Sequence, residues 1–446
     1  MTMTYEQLLE RKRHFGEDVG FDHTFMPDFL FPFQRMLVEW AVRKGRAAIF
    51  ADCGLGKTPM QLVWAQNMVR KTGKPTLILT PLAVGPQTVE EAHKFGIEAA
   101  QSRDGRIASQ ITVTNYHQLH KFDSSAFGAV VCDESSILKN FDGAMRREIT
   151  DSMRQVKYRL LCTATAAPND YIELGTSSEA LGYMRRVEMM VQYFNHDGGE
   201  TSRWRLKKHA SKHIFWQWVC SWARALRHPH DLGFDDNGFQ IPPLTCKEHV
   251  VQATVCNPEF LFNMPAIGLD EQRAERRRTL HERCEKVASL IPIDQPSVAW
   301  CHLNDEGHLL EKLIPGAVEV DGNDDDDFKE EALTGFSRGQ IRVIISKPQI
   351  AGFGMNWQHC SHQTFFPSHS FEQWYQAIRR CWRFGQKKPV HVDIIASEGE
   401  RGVLKNLTGK AEAASHMFSK LVELMGCELE KTKTAAKITQ INPLWL

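Results

Sequence analysis

The chain has 446 residues, 42% of them apolar and 24% charged, the balance of an ordinary globular protein of two to four domains and not of a collagen-like or disordered chain. Lys+Arg and Asp+Glu each total 54, so the net charge is zero and any contact with nucleic acid has to come from local patches. The N-terminal MTMTYEQLLERKRHF lacks the apolar core of a secretory signal, and no stretch approaches the roughly 20 apolar residues that span a bilayer; the expectation is a cytoplasmic protein with no membrane partner.

In the first third, apolar runs alternate with helical segments. Residues 47–51 (AAIFA) read as a strand that stops at a glycine-rich turn, followed by a helix over 58–71. Further strands are expected at 76–80 (TLILT), 111–114 (ITVT), 129–132 (AVVC) and 159–162 (RLLC). Short apolar strands with helices between them predict a mostly parallel sheet covered on both faces. Between 181 and 240 the pattern changes to a mainly helical segment with Trp204, Trp216, Trp218 and Trp222 among basic residues. The stretch 231–243 (DLGFDDNGFQIPP) reads as a hinge.

Alternation then returns. Strands are expected at 244–253, 297–301, 318–320, 341–346 and 390–395. Helices are expected at 272–290, 306–314 and 411–431. Arg276–Arg278 read as a solvated helix face, and Asp324–Asp327 as a solvated acidic loop. The predicted fold class is α/β: a first RecA-like lobe over 1–180, a helical insert and hinge over 181–243, a second RecA-like lobe over 244–410, and a C-terminal helix and tail over 411–446.

The 11 cysteines include no Cys-x-x-Cys pair. Several, such as Cys132 and Cys162, sit in apolar runs and read as buried thiols in a reducing compartment. Cys246, His249 and Cys256 fit no common zinc spacing, so zinc is not expected.

The turn after AAIFA is Ala51-Asp-Cys-Gly54-Leu-Gly56-Lys57-Thr58. Glycines let backbone N–H groups converge on a phosphate. Lys57 offers a point charge for β- and γ-phosphates, and the Thr58 hydroxyl is a hard ligand for Mg2+. Ala51 takes the place of the first glycine of the usual loop. The AVVC strand runs into Asp133-Glu134, two acids at the carboxyl edge of a parallel sheet, where α/β folds bind ligands. Asp133 suits Mg2+, and Glu134 suits activation of an attacking water.

These residues resemble superfamily II helicases, in particular the Swi/Snf-type DNA translocases, from about Phe31 to Glu400. Phage and prophage DEAD/DEAH-box-like chains of this size look similar, which places the expected cytoplasm in a bacterial or phage-infected cell. The resemblance lies in Phe31-Pro-Phe-Gln34, Thr80-Pro81, Thr114-Asn115-Tyr116, Asp133-Glu134-Ser-Ser-Ile-Leu-Lys139-Asn140, Thr163-Ala-Thr165-Ala-Ala-Pro168-Asn169, Ala351-Gly352-Phe-Gly354-Met-Asn356 and Gln376-Ala-Ile-Arg-Arg380-Cys-Trp-Arg383-Phe-Gly385-Gln386. It implies that Gln34 reads adenine and that Gly354 and Gln376 belong to the nucleotide site. It also implies strand contacts from Thr114, Asn115 and Tyr116 in the first lobe, and from Ser346, Lys347 and Asn356 in the second. Arg380 and Arg383 share a helix face at this spacing and can neutralise charge on a γ-phosphoryl group, as arginine fingers do. Ser135-Ser136 stand where the family has a histidine that links the ATP and nucleic-acid sites, and Arg379 where a glycine is common.

The basic segment 201–213 (TSRWRLKKHASKH) adds Arg203, Trp204 and Arg205 as candidate contacts to phosphate and base; the competing reading is an amphipathic helix with its tryptophans packed inward. The expected function is a DNA-dependent ATPase, with ATP and Mg2+ as cofactors, that moves along duplex or branched DNA. Replication or recombination proteins are candidate partners. A strand-separating DNA or RNA helicase is the second reading, and a nucleotide-binding scaffold without turnover is the third.

Overall fold

The computed structural model describes residues 17–139, 143–167, 170–196, 204–207, 210–252, 269–352, 355–400 and most of 402–424. The chain falls into two compact units, the second spanning Gly238–Ala413 and the first comprising the residues before it together with the C-terminal segment. Each is an α/β lobe built on a parallel sheet flanked by helices, the RecA-like architecture.

The first lobe contains β1 (Arg46–Ala51), β2 (Thr76–Thr80), β3 (Ala100–Gln101), β4 (Ile111–Asn115), β5 (Ala129–Asp133) and β6 (Tyr158–Cys162). A hairpin follows, β7 (Phe194–His196) and β8 (Trp204–Leu206), and then β9 (Ala223–Leu226). The seven-stranded sheet runs β3-β4-β2-β5-β6-β1-β9. Its central strands are buried along their whole length, which is why they read as continuous apolar runs. Helices α1 (Pro32–Lys44), α2 (Lys57–Thr72), α3 (Gly85–Lys94), α4 (Ala144–Gln155) and α5 (Leu174–Leu181) complete the α/β alternation. Trp64 of α2 fixes α1 through an Nε1–H bond of 3.2 Å to the Ala41 carbonyl. On β6, buried Arg159 donates to the carbonyls of Val156, Leu181 and Arg154, satisfying groups that the ends of α4 and α5 leave open.

The segment read as a helical insert contains α6 (Arg186–Tyr193) and α7 (Ala210–Cys220), but also two features its sequence did not predict: the β7–β8 hairpin and β9, which pairs in parallel with β1. Trp216, Trp218 and Trp222 are all buried. Trp222 meets Phe50 of β1 edge-on at 6.2 Å, and Trp218 packs against Tyr193 at 5.6 Å. The tryptophans therefore bond the insert to the first lobe's core, as the inward-packing reading supposed.

The second lobe contains β10 (Leu244–Val251), β11 (Ser297–Trp300), β12 (Ala317–Val320), β13 (Val343–Ser346), β14 (His362–Phe365) and β15 (Val390–Ser397), all parallel, in the order β10-β15-β14-β11-β13-β12. Its helices include α8 (Leu269–Arg278), α9 (Leu280–Leu290), α10 (Asn304–Leu313), α11 (Asp326–Ser337), the single turn α12 (Pro348–Ala351) and α13 (Phe371–Ile378). The single helix expected over 272–290 is divided at Thr279 (φ −101°, ψ 19°), where the buried Arg283 Nε donates to the Thr279 hydroxyl.

Two charged stretches differ from expectation. Arg276 pairs with the buried Glu400 at 2.7 Å and Arg278 with Glu275 at 2.7 Å, so only Arg277 of that triplet is exposed. The acidic run starts a helix: Asp325 accepts the Phe328 N–H and caps α11, with Asp326 and Asp327 in its first turn, where negative charge opposes the helix dipole favourably. All nine described cysteines are free thiols, and all but Cys246 are buried; Cys256 lies outside the described residues. Among the described residues, no helix is long and apolar enough to cross a membrane.

Candidate nucleotide site and candidate nucleic-acid contacts

Register brings the site together. Asp133 lies level with Cys162 across β5 and β6, and Cys162 lies level with Ile49 across β6 and β1. The loop after β1, Thr163 after β6 and the acids ending β5 therefore emerge side by side at one sheet edge. The loop turns through Gly54 (φ 89°) and Gly56 (φ 74°) into the first residue of α2, Lys57. Gly56 is required twice: its φ is left-handed, and a Cβ there would lie 2.3 Å from the Gln34 amide nitrogen. Gln34 is buried; its Oε1 accepts the Phe31 N–H and its Nε2 donates to Leu55 O at 2.9 Å. The glutamine thus latches α1 to the loop. Lys57 Nζ donates to Ala51 O at 3.1 Å, across the mouth of the loop, and Thr58 is half-buried on the first turn of α2.

Asp133 and Glu134 are both 6% exposed. Burial raises the Asp133 carboxyl to about 6, and neighbouring Glu134 adds to the rise; the Gln61 amide and the Lys57 charge oppose it. Gln61 Nε2 donates to Asp133 Oδ1 at 2.6 Å. Gln61 lies one turn beyond Lys57 on α2 and so shares its face; no motif had singled it out. Glu134 adopts φ 49°, the one left-handed non-glycine among the described residues, at a cost of order 1–3 kcal/mol. The Thr163 hydroxyl donates to Glu134 Oε2 at 3.2 Å. Half-buried Lys139 has its ammonium lowered to about 8 by desolvation, with Glu173 opposing. Asn140, Pro168 and Asn169 lie outside the described residues.

The expected strand contacts of the first lobe are turned inward. Thr114, Asn115 and Tyr116 are all buried. Asn115 accepts the Gln118 N–H at 3.2 Å, and the Tyr116 hydroxyl donates to the Asp133 carbonyl and meets Cys132 Sγ at 3.1 Å. Burial raises the Tyr116 phenol well above its ordinary value, so it stays a donor.

In the second lobe, Ser346 is buried with its hydroxyl on Val320 O at 2.8 Å, half-buried Lys347 donates to the Asn304 side chain, and Asn356 is exposed. Gln376 and Arg380 are buried: Arg380 Nη2 donates to Gln376 Oε1 at 2.9 Å and Nε to Gln376 O at 2.9 Å. Arg380 and Arg383 both donate to Met355 O at 3.2 Å, so the two guanidiniums converge on one carbonyl. Arg379 is also buried, 4.7 Å over the Trp382 ring, which explains how a large cation replaces a small residue there. Gly354 lies outside the described residues, as does Arg203; Trp204 is half-buried, edge-on to His196 at 4.9 Å, and Arg205 is exposed.

No protein-family model matches the chain. It is 26% identical to a putative protein, p41, of Acyrthosiphon pisum secondary endosymbiont phage 1, over 84% of this chain and 94% of that one. It is also similar to the SWI/SNF-related matrix-associated actin-dependent regulator of chromatin subfamily A-like protein 1 of Xenopus laevis (30% identical over 37% of this chain) and of Xenopus tropicalis (31% over 34%). Those matches span 18% and 17% of the frog proteins, so the chain corresponds to under a fifth of their length.

Proposed function

We propose that the chain is a DNA-dependent ATPase that uses ATP hydrolysis to move along DNA. The observation that carries this reading is the convergence of a glycine-turned loop, Lys57 and two buried acids at one carboxyl edge of the first sheet. The residues fit a magnesium nucleotide. Gly54 and Gly56 open the loop backbone, Lys57 supplies a cation, and Thr58 and Asp133 offer hard oxygens. Mg2+ held by Thr58 and Asp133 would supply positive charge that offsets the charge of the phosphates. Gln34 orients the loop from α1. Gln61 holds Asp133 in place, and Thr163 holds Glu134, whose carboxylate accepts a proton from the attacking water. Within the second lobe, Arg380 and Arg383 converge on the Met355 carbonyl, and they are the pair that the resemblance assigns to stabilising phosphoryl charge.

DNA as the track is supported by the similarity to the SWI/SNF-related proteins. Among the described candidate contacts, Asn356 and Arg205 are exposed and Lys347 and Trp204 half-buried, and these side chains are offered for backbone contacts. The linking histidine of related motors is absent, and the Tyr116 hydroxyl on the Asp133 carbonyl offers another connection between the end of β4 and the acids.

The test is ATPase activity with no nucleic acid, single-stranded DNA, duplex, forked DNA and RNA, followed by triplex displacement and unwinding on the best activator. Duplex or forked DNA is expected to raise turnover severalfold or more. No increase with any nucleic acid would overturn the motor reading. Stimulation by RNA alone would overturn the choice of track.

A further inference from the structure

Edge strand β12 carries an acid that its surroundings do not neutralise in the ordinary way. Glu319 is 9% exposed, and its Oε1 is sealed from water with no hydrogen-bond partner among the described residues. A buried carboxylate oxygen left in that state costs several kcal/mol unless a cation offsets it. The carboxylate lies over Gly307 of α10, where a Cβ would come within 1.9 Å of Oε1; glycine leaves the cradle open. The next residue, His308, places Nε2 3.6 Å from Glu319 Oε2 while keeping 58% of its side chain exposed. Buried Asp321, just past the end of β12, contributes the third group, and one ligand atom from each of the three lies within 4.8 Å of the others. Burial raises the Glu319 carboxyl to about 7; His308 opposes this, and the carboxylates of Glu311, Asp321 and Asp324 add to it.

We propose that His308, Glu319 and Asp321 bind a divalent transition-metal ion, with zinc(II) or manganese(II) the best match. One imidazole and two carboxylates suit such ions better than the all-oxygen shells of Ca2+ or Mg2+. Donors around a tetrahedral ion with bonds of about 2.0–2.2 Å stand roughly 3.4 Å apart, so closure from the observed spacing takes only small side-chain rotations. The three-ligand set leaves a coordination position for water, and the exposed ring gives the ion a path in.

The ion would tie α10 to the edge strand. That junction frames the second lobe's candidate contacts: the Ser346 hydroxyl holds Val320 O, the residue before Asp321, and Lys347 is held by Asn304, one turn before His308 on α10. Binding free energy at such a junction adds to the stability of the fold.

The experiment uses the full chain, treated with chelator and carrying Asp133→Asn throughout so that the carboxylate at the end of β5 does not contribute. Zn2+, Mn2+, Mg2+ and Ca2+ are titrated by calorimetry, thermal melting is followed, and Co2+ is used as a visible-absorption probe. One Zn2+ or Mn2+ per chain with a raised melting midpoint is expected. His308→Ala removes an exposed side chain and Glu319→Gln keeps the shape; each is expected to weaken binding by at least roughly tenfold and to abolish the Co2+ bands. No saturable uptake, uptake unchanged in His308→Ala, or equal affinity for Mg2+ and Ca2+ would overturn the proposal.

Discussion

At the carboxyl edge of the first sheet, buried Asp133 and Glu134 meet an amide and a hydroxyl, Gln61 and Thr163, whereas at the same edge of the second sheet buried Glu306 and Glu400 meet Arg283 and Arg276, each at 2.7 Å. The second edge is closed further by neutral donors: Glu306 also accepts the His302 and Leu303 N–H groups, and Glu400 the Ser397 N–H. Burial there lowers the His302 imidazole to about 4, with Glu306 opposing, so that histidine packs as a neutral ring. One lobe balances its edge charge internally and gains a rigid frame. In the other, an amide and a hydroxyl hold the acids, and the Lys57 charge draws the Asp133 carboxyl down against its burial.

The comparison breaks or sharpens at definite places. The largest effect is expected from Lys57→Ala, which should take nucleotide binding and ATP turnover below detection; a variant that still hydrolyses ATP would show that the first edge is not the reactive one. Arg383→Ala should keep ATP binding and lose roughly 10³-fold or more in turnover; an unchanged rate would remove it from the transition state. Glu134→Gln should bind ATP and lose about 10²–10⁴-fold in turnover, checked by single-turnover hydrolysis. At the second edge, Arg283→Met should lower the unfolding free energy by about 3–5 kcal/mol because Glu306 is left buried and unpaired, while Arg283→Met with Glu306→Gln, which removes the charge but keeps an acceptor for the His302 and Leu303 N–H groups, should recover most of it. If the single variant melts like the parent, the ion pair is not what closes that edge. The smallest effect is expected from Tyr116→Phe: basal ATPase near the parental rate, with DNA stimulation reduced a few-fold. Full stimulation would show that the hydroxyl link to Asp133 carries no coupling.

How much of this was legible in the sequence follows from what each signal encodes. TLILT and AVVC are buried on both faces, so their apolar runs announced β2 and β5 directly. Strand β14 (HQTF) is equally buried but polar; its residues are satisfied across the sheet, with Trp300 Nε1 on Gln363 Oε1 at 2.8 Å and His362 between Ser297 and Asp393. Hydrophobic pattern cannot reveal a strand whose burial is compensated by side-chain hydrogen bonds. Strand β9 is only Ala223–Leu226, too short to show a period.

The loop glycines, Lys57 and the acid pair stood out because their spacing matches what a phosphate and a hard cation require. Gln61 did not, since a glutamine inside a helix has no pattern until α2 is placed beside β5. The motif at Thr114-Asn115-Tyr116 marks a position at a strand end, but not the side on which each side chain stands; the fold turns all three inward. Cysteine spacing speaks only to thiolate sites, and a histidine and two acids contributed by a helix and a strand end leave no such pattern in the sequence.

The left-handed backbone at Glu134 has a practical corollary. A glycine there would adopt the same turn without penalty, so Glu134→Gly is expected to resist heat as well as or better than the parent and, on the proposed function, to lose ATP turnover. Robustness and output then pull against each other at a single peptide unit, and a screen that rewarded thermal endurance alone would drift toward inert variants.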